Sequence, residues 1–309
     1  FMFIYTAISS ILRGLGDSTS PTWFLLFATV INIILDPILI FGWGPFPAMG
    51  VAGAAWATVF AQAVSAVLAL RHLFKVNKML ETDLRRYLPQ ADLTWKTVVI
   101  GLPAGVQQIV VSLGALVLTS LVNSFGDTAT AAFGAAARLD QFAFLPTMSI
   151  GLATSALVGQ NLGAGWEHRA HETLRWSALL AVGITAAVTL TALAFPRQIL
   201  SVFTQDPAVL AEGARYLRLV SLGYIPLSLM FAINGLLRGA GDTLPTMITS
   251  ISALWLVRLP LATWLSRLPD YGTRGIWIGM AVSPLVGLVI SYIYYRAGWW
   301  RRKVVVRQE

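Results

Sequence analysis

The stretch Pro21-Thr-Trp-Phe-Leu-Leu-Phe-Ala-Thr-Val-Ile-Asn-Ile-Ile-Leu-Asp-Pro-Ile-Leu-Ile-Phe41 decides the fold. An α-helix needs about twenty apolar residues to cross a bilayer core, so these residues read as one membrane span. Two polar side chains interrupt the run, Asn32 and Asp36. At a spacing of four they share one helix face, one turn apart. A carboxylate within a span is costly and marks functional sites. Pro37 follows at once and frees a backbone carbonyl near Ile33. Asn32 and Asp36 are therefore candidates for a cation or proton site. The plainer alternative is an aspartate that caps the backbone freed by Pro37.

The whole chain has the same character. Of 309 residues, 56% are hydrophobic and 12% are charged, and the mean hydropathy is +0.70. Soluble domains carry about 25% charged residues. The long, non-alternating apolar runs exclude a β-barrel and predict an all-α polytopic membrane protein. The net charge of +8 reflects loop Lys and Arg, as in other membrane proteins, and no nucleic-acid partner is expected. The absence of cysteine excludes disulfides, thiol catalysis and Cys-ligated metal sites.

Residues 1–12 read as the end of one span. Eight further spans are expected at 21–41, 50–73, 97–123, 130–158, 174–195, 214–236, 244–265 and 275–297. The polar segment 74–96 reads as a linker, dividing a first part at 1–88 from a second at 89–309. Most of the 22 Lys and Arg fall on the side holding the turn at 13, the linker, the loop after 158, the turn at 238 and the tail. The positive-inside rule makes that side, and the C-terminus, cytoplasmic.

An internal repeat is visible. Arg13-Gly-Leu-Gly-Asp17 returns as Arg238-Gly-Ala-Gly-Asp242, and the same offset of 225 takes Gly50-Val51 to Gly275-Ile276. Two matched landmarks bracketing a span point to duplication. Both copies start on the same side, so the repeat is parallel. The expected architecture is two six-helix bundles, the first incomplete here. Projection of the repeat places on the order of 130 residues before Phe1 and twelve spans in the full protein.

With these motifs the chain resembles the multidrug and toxic compound extrusion (MATE) family. The resemblance is carried by the paired Arg-Gly-x-Gly-Asp turns, Asn32-x-x-x-Asp36-Pro37, Gly53-Ala-Ala-Trp-Ala-Thr58, Gly101-Leu-Pro103 and Val158-Gly-Gln-Asn-Leu-Gly-Ala-Gly165. It implies a secondary antiporter of the bacterial inner membrane, working as a monomer. Such a protein exports organic cations in exchange for H⁺ or Na⁺, with no other cofactor and no enzymatic activity. The alternative within transport is a lipid-linked precursor flippase of related fold, which would want a more cationic cavity. The resemblance places a cation site on Asn32, Asp36 and Thr58. It also points to acids that one branch carries near Val111 and Leu227. Both positions are apolar here, which argues against a sodium site in the second bundle. Asp36 and Thr58 lie at depths of roughly 8 and 12 Å from the outer ends of their helices, so antiparallel neighbours can join them in one pocket.

Other intramembrane polar residues have structural or functional readings of similar weight. Gln107 and Gln108 are read as interhelical hydrogen-bonding groups or cleft lining. Arg138 and Asp140, two apart, point away from each other, and Asp140 is expected to pair across helices with Arg258. Arg258 lies three residues before the repeat image of Asp36, so the two bundles are expected to be functionally unequal. No catalytic residue and no metal site emerges. His72, His168 and His171 read as solvated, and Trp299-Trp300-Arg301-Arg302 as an interfacial anchor.

Overall fold

A computed structural model describes residues 1–44, 46–76 and 90–303. Among them the helices are α1 (Met2–Gly14), α2 (Thr19–Phe41), α3 (Val51–Val76), α4 (Ala91–Asn123), α5 (Asp127–Gly163), α6 (Glu167–Ala194), the short α7 (Pro196–Leu200), α8 (Pro207–Val220), α9 (Tyr224–Gly239), α10 (Leu244–Ile251), α11 (Leu259–Ser266) and α12 (Thr273–Ala297). A 3₁₀ turn, Ser221–Gly223, joins α8 to α9, and a π-helical segment, Ser252–Arg258, joins α10 to α11. No strand occurs among the described residues. Eight helices or helix pairs are long and apolar enough to cross a membrane. The chain is an all-α, multi-pass membrane protein, and the eight expected spans are all present. α4 starts at Ala91 and α6 at Glu167, six or seven residues earlier than expected, because their polar first turns are helical too.

The chain divides into two compact units, Phe1–Gln90 and Ala91–Glu309. The expected boundary at 88/89 lies outside the described residues. The first unit holds α1, α2 and α3. The second holds six spans: α4, α5, α6, α8–α9, α10–α11 and α12.

The repeat recurs atom by atom at its turns. After α1, the N–H groups of Leu15, Gly16 and Asp17 donate to the carbonyls of Ile11, Arg13 and Leu12 at 3.0, 3.1 and 2.9 Å. After α9, Ala240, Gly241 and Asp242 donate to Leu236, Arg238 and Leu237 at 3.0, 3.0 and 2.9 Å. Gly16 and Gly241 have φ of 92° and 83°, a conformation that costs glycine little and other residues more. Each turn aspartate is also tied to the second span that follows. Asp17 Oδ2 lies 3.2 Å from His72 Nε2 on α3. Tyr294 of α12 donates its hydroxyl to Asp242 Oδ2 at 2.6 Å. Hydrogen bonds from Ser20, with a lesser contribution from His72, hold the Asp17 carboxyl below its ordinary value. Its small stabilising effect is therefore present at neutral pH and lost in acid.

Small residues set the packing inside the second unit. On α9, Gly235-x-x-x-Gly239 lies against α5: a Cβ on Gly235 would sit 3.0 Å from Thr154 Cβ, and one on Gly239 would sit 2.6 Å from the Ser155 carbonyl and 2.9 Å from Val158 Cβ. Two backbones that touch this way gain packing contacts that lipid cannot supply. At the other end an aromatic cluster fixes α8. Tyr216 packs edge-on against Trp277 at 4.7 Å, and Phe133 stacks on Trp277 at 6.0 Å; Tyr216 and Trp277 are fully buried.

Two surface expectations are corrected. Trp300 is fully buried, stacked on Tyr295 and against His171, because the 3₁₀ turn Trp299–Lys303 folds it inward; Trp299 and Arg301 are exposed. His171 is likewise engaged. Its Nδ1 lies 2.7 Å from the Tyr295 hydroxyl and its Nε2 3.2 Å from Arg301. His72 pairs with Asp17 instead of being solvated.

The α5–α9 contact yields a clear expectation. Gly235→Val forces the two backbones apart and costs about 1–3 kcal/mol, read as a lower melting temperature of the purified protein. Gly134→Ala, on the same α5 but with open space at its Cβ, leaves the melting temperature unchanged or slightly raised. Equal melting temperatures for wild type and Gly235→Val would contradict the packing.

Candidate functional site

In the first unit, α2 and α3 approach closely because Gly53 has no side chain. A Cβ there would press on the backbone of Leu39 and on Ile40 N, 3.0 Å away. This contact aligns the polar residues of the two helices. Asn32 Nδ2 donates to Asp36 Oδ1 at 3.3 Å and to Thr58 Oγ1 at 3.5 Å. Thr58 Oγ1 donates to the Ala54 carbonyl at 2.9 Å. Asn32 thus bridges the other two, and the three expected residues come together. Asn32 and Asp36 are half-buried and Thr58 is exposed, so within this unit the trio forms an open polar rung rather than a closed pocket. Its carboxylate, amide and hydroxyl oxygens suit a proton or a hard cation.

The second unit contains an open cavity of about 640 Å³. Its polar lining comprises Gln107, Gln108, Asp140, Gln141, Tyr224, Asn234, Arg238, Ser250 and Arg258, and its apolar lining includes Phe144, Met148, Leu227, Met230, Phe231 and Met280. Asp140 does not form the expected ion pair with Arg258. Its Oδ2 accepts the Tyr216 hydroxyl at 2.5 Å and its Oδ1 accepts the Tyr224 hydroxyl. Arg258 Nε instead donates to Ser283 Oγ on α12 at 2.7 Å. The two tyrosines reach Asp140 first because α8 and α9 pack directly on α5, with the aromatic cluster holding Tyr216.

Arg258 closes the π-helical segment just before Pro260. Proline has no N–H and its ring crowds the carbonyl four residues earlier, here that of Leu256, which accounts for a disturbed helical ladder at this place. Single wide turns of this kind are frequent at functional sites. Ser283 is the repeat image of Thr58, and Arg258 lies one residue past the image of Asn32. The same polar rung between successive spans therefore exists in both units, acidic in one and cationic in the other.

The remaining expected residues separate. Gln107 is buried and structural: it donates to Ser250 Oγ at 2.5 Å and accepts from Arg238 Nη2 at 2.9 Å, joining α4, α9 and α10. Gln108 lines the cavity and is exposed to it. Arg138 is outside the cavity lining; its guanidinium lies over the Phe203 ring at 5.3 Å. Val111 and Leu227, the apolar positions noted in the sequence, line the cavity with Asp140.

Sequence reasoning missed Tyr216, Tyr224, Ser283 and Glu212. Tyr216 and Tyr224, eight apart, fall on nearby faces of one helix path, a signal present but not used. Glu212 accepts from Thr273 at 2.6 Å, from Trp277 Nε1 at 2.9 Å and from Arg215 at 3.2 Å. It lay just outside the expected span and ties α8 to α12. No group of three or more acidic, His or Cys side chains suited to a metal occurs among the described residues.

A family model described as MatE matches residues 103–264. The chain belongs to the MatE family. It is 32% identical over 301 residues to a probable multidrug resistance protein, YpnP, of Bacillus subtilis, with 97% of this chain and 66% of that protein covered. It is 30% identical over 290 residues to an FAD transporter of Shewanella oneidensis, with 92% and 63% covered. A crystal structure of MATE in the bent conformation superposes with a TM-score of 0.88 at 22% identity, covering 97% of this chain and 66% of that one. This MatE chain therefore spans about two thirds of the length of the relatives it matches, and the structural likeness concerns the fold.

Gln107 and Gln108 provide a paired test. Gln107→Ala strands Arg238 and Ser250 and costs about 1–3 kcal/mol of stability. Gln108→Ala changes stability by no more than about 0.5 kcal/mol. Thermal unfolding of the purified variants measures both, and equal losses would contradict the assignment.

Proposed function

We propose that the full-length protein is a secondary active antiporter, which exports organic cations in exchange for H⁺ or Na⁺. In this reading it works as a monomer in the bacterial plasma membrane with its C-terminus cytoplasmic. The coupling ion is carried by Asp36, with Asn32 and Thr58 as further ligands. The observation that supports this most is the meeting of these three residues at one level of the α2–α3 pair, since an acid within a span is retained for ion or proton traffic. Two MatE relatives in Bacillus subtilis are named as probable multidrug resistance proteins, in keeping with drug export. No enzymatic role is proposed: among the described residues no metal-suited group of acidic, His or Cys side chains accompanies Asp36 or Asp140.

A lipid-linked precursor flippase is the second reading. It is favoured by one observation: the cavity lining carries two arginines against one aspartate.

Proteoliposomes containing the full-length protein, loaded with tetraphenylphosphonium and given an inward proton or sodium gradient, test the antiport reading. Gradient-driven efflux is expected in the wild type and is expected to fall to the level of empty liposomes in Asp36→Asn. Thr58→Ala is expected to retain part of it, with a weaker apparent affinity for the ion. Undiminished efflux in Asp36→Asn would remove the coupling role from this residue.

A further inference from the structure

Arg258 is a charged side chain within a membrane-spanning helix pair, at the wall of the cavity in the second unit. Its Nε is held by Ser283. Among the described residues the guanidinium makes no other hydrogen bond and no ion pair. The one carboxylate in the cavity lining, Asp140, has each oxygen occupied by a tyrosine hydroxyl. A second cation, Arg238, lines the same cavity; one of its nitrogens binds Gln107, and its Nε is buried with no partner. Asp140 acts on Arg258 through space without a hydrogen bond, and a buried guanidinium left short of partners is expensive. Two arginines against one aspartate leave the cavity lining with an excess of positive charge and with unused donors.

We propose that this cavity binds the anionic group, a carboxylate or a phosphate, of an amphipathic molecule, with Arg258 as its charge partner. The planar guanidinium, fixed through Nε, keeps its terminal N–H pair for a two-point contact with two oxygens of the anion. Ser283 and the π-helical turn set its position. Phe144, Phe231 and the thioethers of Met148, Met230 and Met280 offer an apolar wall that adapts to ligand shape. The volume of about 640 Å³ lies within the range of small-molecule sites, about 300–1,000 Å³. Asp140 lines the same cavity with its oxygens held by the two tyrosines. The anionic group has two possible sources, a soluble molecule or a lipid headgroup. The inference goes beyond the exporter reading: the anionic molecule is a ligand of the second unit distinct from the exported cation, and its binding is measured without transport.

The full-length protein in phosphatidylcholine nanodiscs is titrated with 2-naphthoate and with 2-naphthylmethylammonium, two probes of similar apolar body and opposite charge. The wild type is expected to bind the carboxylate about tenfold more tightly or better. Arg258→Gln is expected to lose that preference, and Arg258→Lys to keep part of it. Replacing some of the lipid with phosphatidylglycerol separates the sources. Competition with naphthoate assigns the site to a lipid phosphate, and undisturbed binding assigns it to a soluble anion; each supports the anion site. Equal or tighter binding of the ammonium probe by the wild type overturns the proposal, and that comparison needs no variant to fold. Wild-type affinity for naphthoate in a folded Arg258→Gln protein overturns it as well. Failure here leaves gradient-driven cation efflux untouched, so the two readings fail in different assays.

Discussion

A carboxylate on a membrane-spanning helix needs polar partners, because hydrocarbon supplies no hydrogen bonds. The rest of this structure is arranged around that demand at two places. Asp36 is met by the amide of Asn32, one turn away on its own helix. Asp140 is met by two tyrosine hydroxyls from the neighbouring α8–α9 path. In neither case is the partner a cation. Neutral donors leave the charge on the acid available to something else, whereas a salt bridge would spend it. The helix packing serves this end. Gly53 lets α3 reach α2, and the glycines of α9 let it lie on α5, so short side chains such as Thr58 come within range.

Duplication and divergence meet at the polar rung between successive spans. The backbone hydrogen bonds of the turns that open each copy agree in length to within about a tenth of an ångström, so the scaffold has been kept. At the rung, Thr58 in the first unit corresponds to Ser283 in the second, and Arg258 stands one residue past the image of Asn32. The partner of the hydroxyl is a neutral amide beside an acid in the first unit and a guanidinium in the second. Arg258 coincides with the end of a π-helical segment and lies just before Pro260. A repeated frame carrying opposite charges in its two copies is a physical basis for the proposal that the two units have different tasks, one for the small ion and one for the larger molecule.

Much of this was legible in the sequence, and the limits follow from the physics. Span number and the parallel repeat could be read because apolar run length and glycine turns are local properties. Asn32 and Asp36 could be joined because their spacing fixes a shared helix face, and Thr58 because its depth matched. The partner of Asp140 could not be read. Which of several polar side chains arrives first depends on helix rotation and on the 3₁₀ turn Ser221–Gly223, and nothing in the spacing of Arg258 reveals either. Tyr216 escaped notice because tyrosine passes as an apolar residue in a span. Trp300 misled in the opposite sense: a tryptophan beside arginines usually marks an interface, but a 3₁₀ turn folded it into the core.

The central claim is that Asp36 exchanges a small cation while Asp140 remains held by its tyrosines. Release of H⁺ or Na⁺ on adding tetraphenylphosphonium to the full-length protein, followed with soluble proton and sodium indicators, tests it most directly. The account predicts that the wild type releases one of the two ions, that Asp140→Asn still does so, and that Asp36→Asn releases neither. Release that persists in Asp36→Asn and vanishes in Asp140→Asn would contradict it.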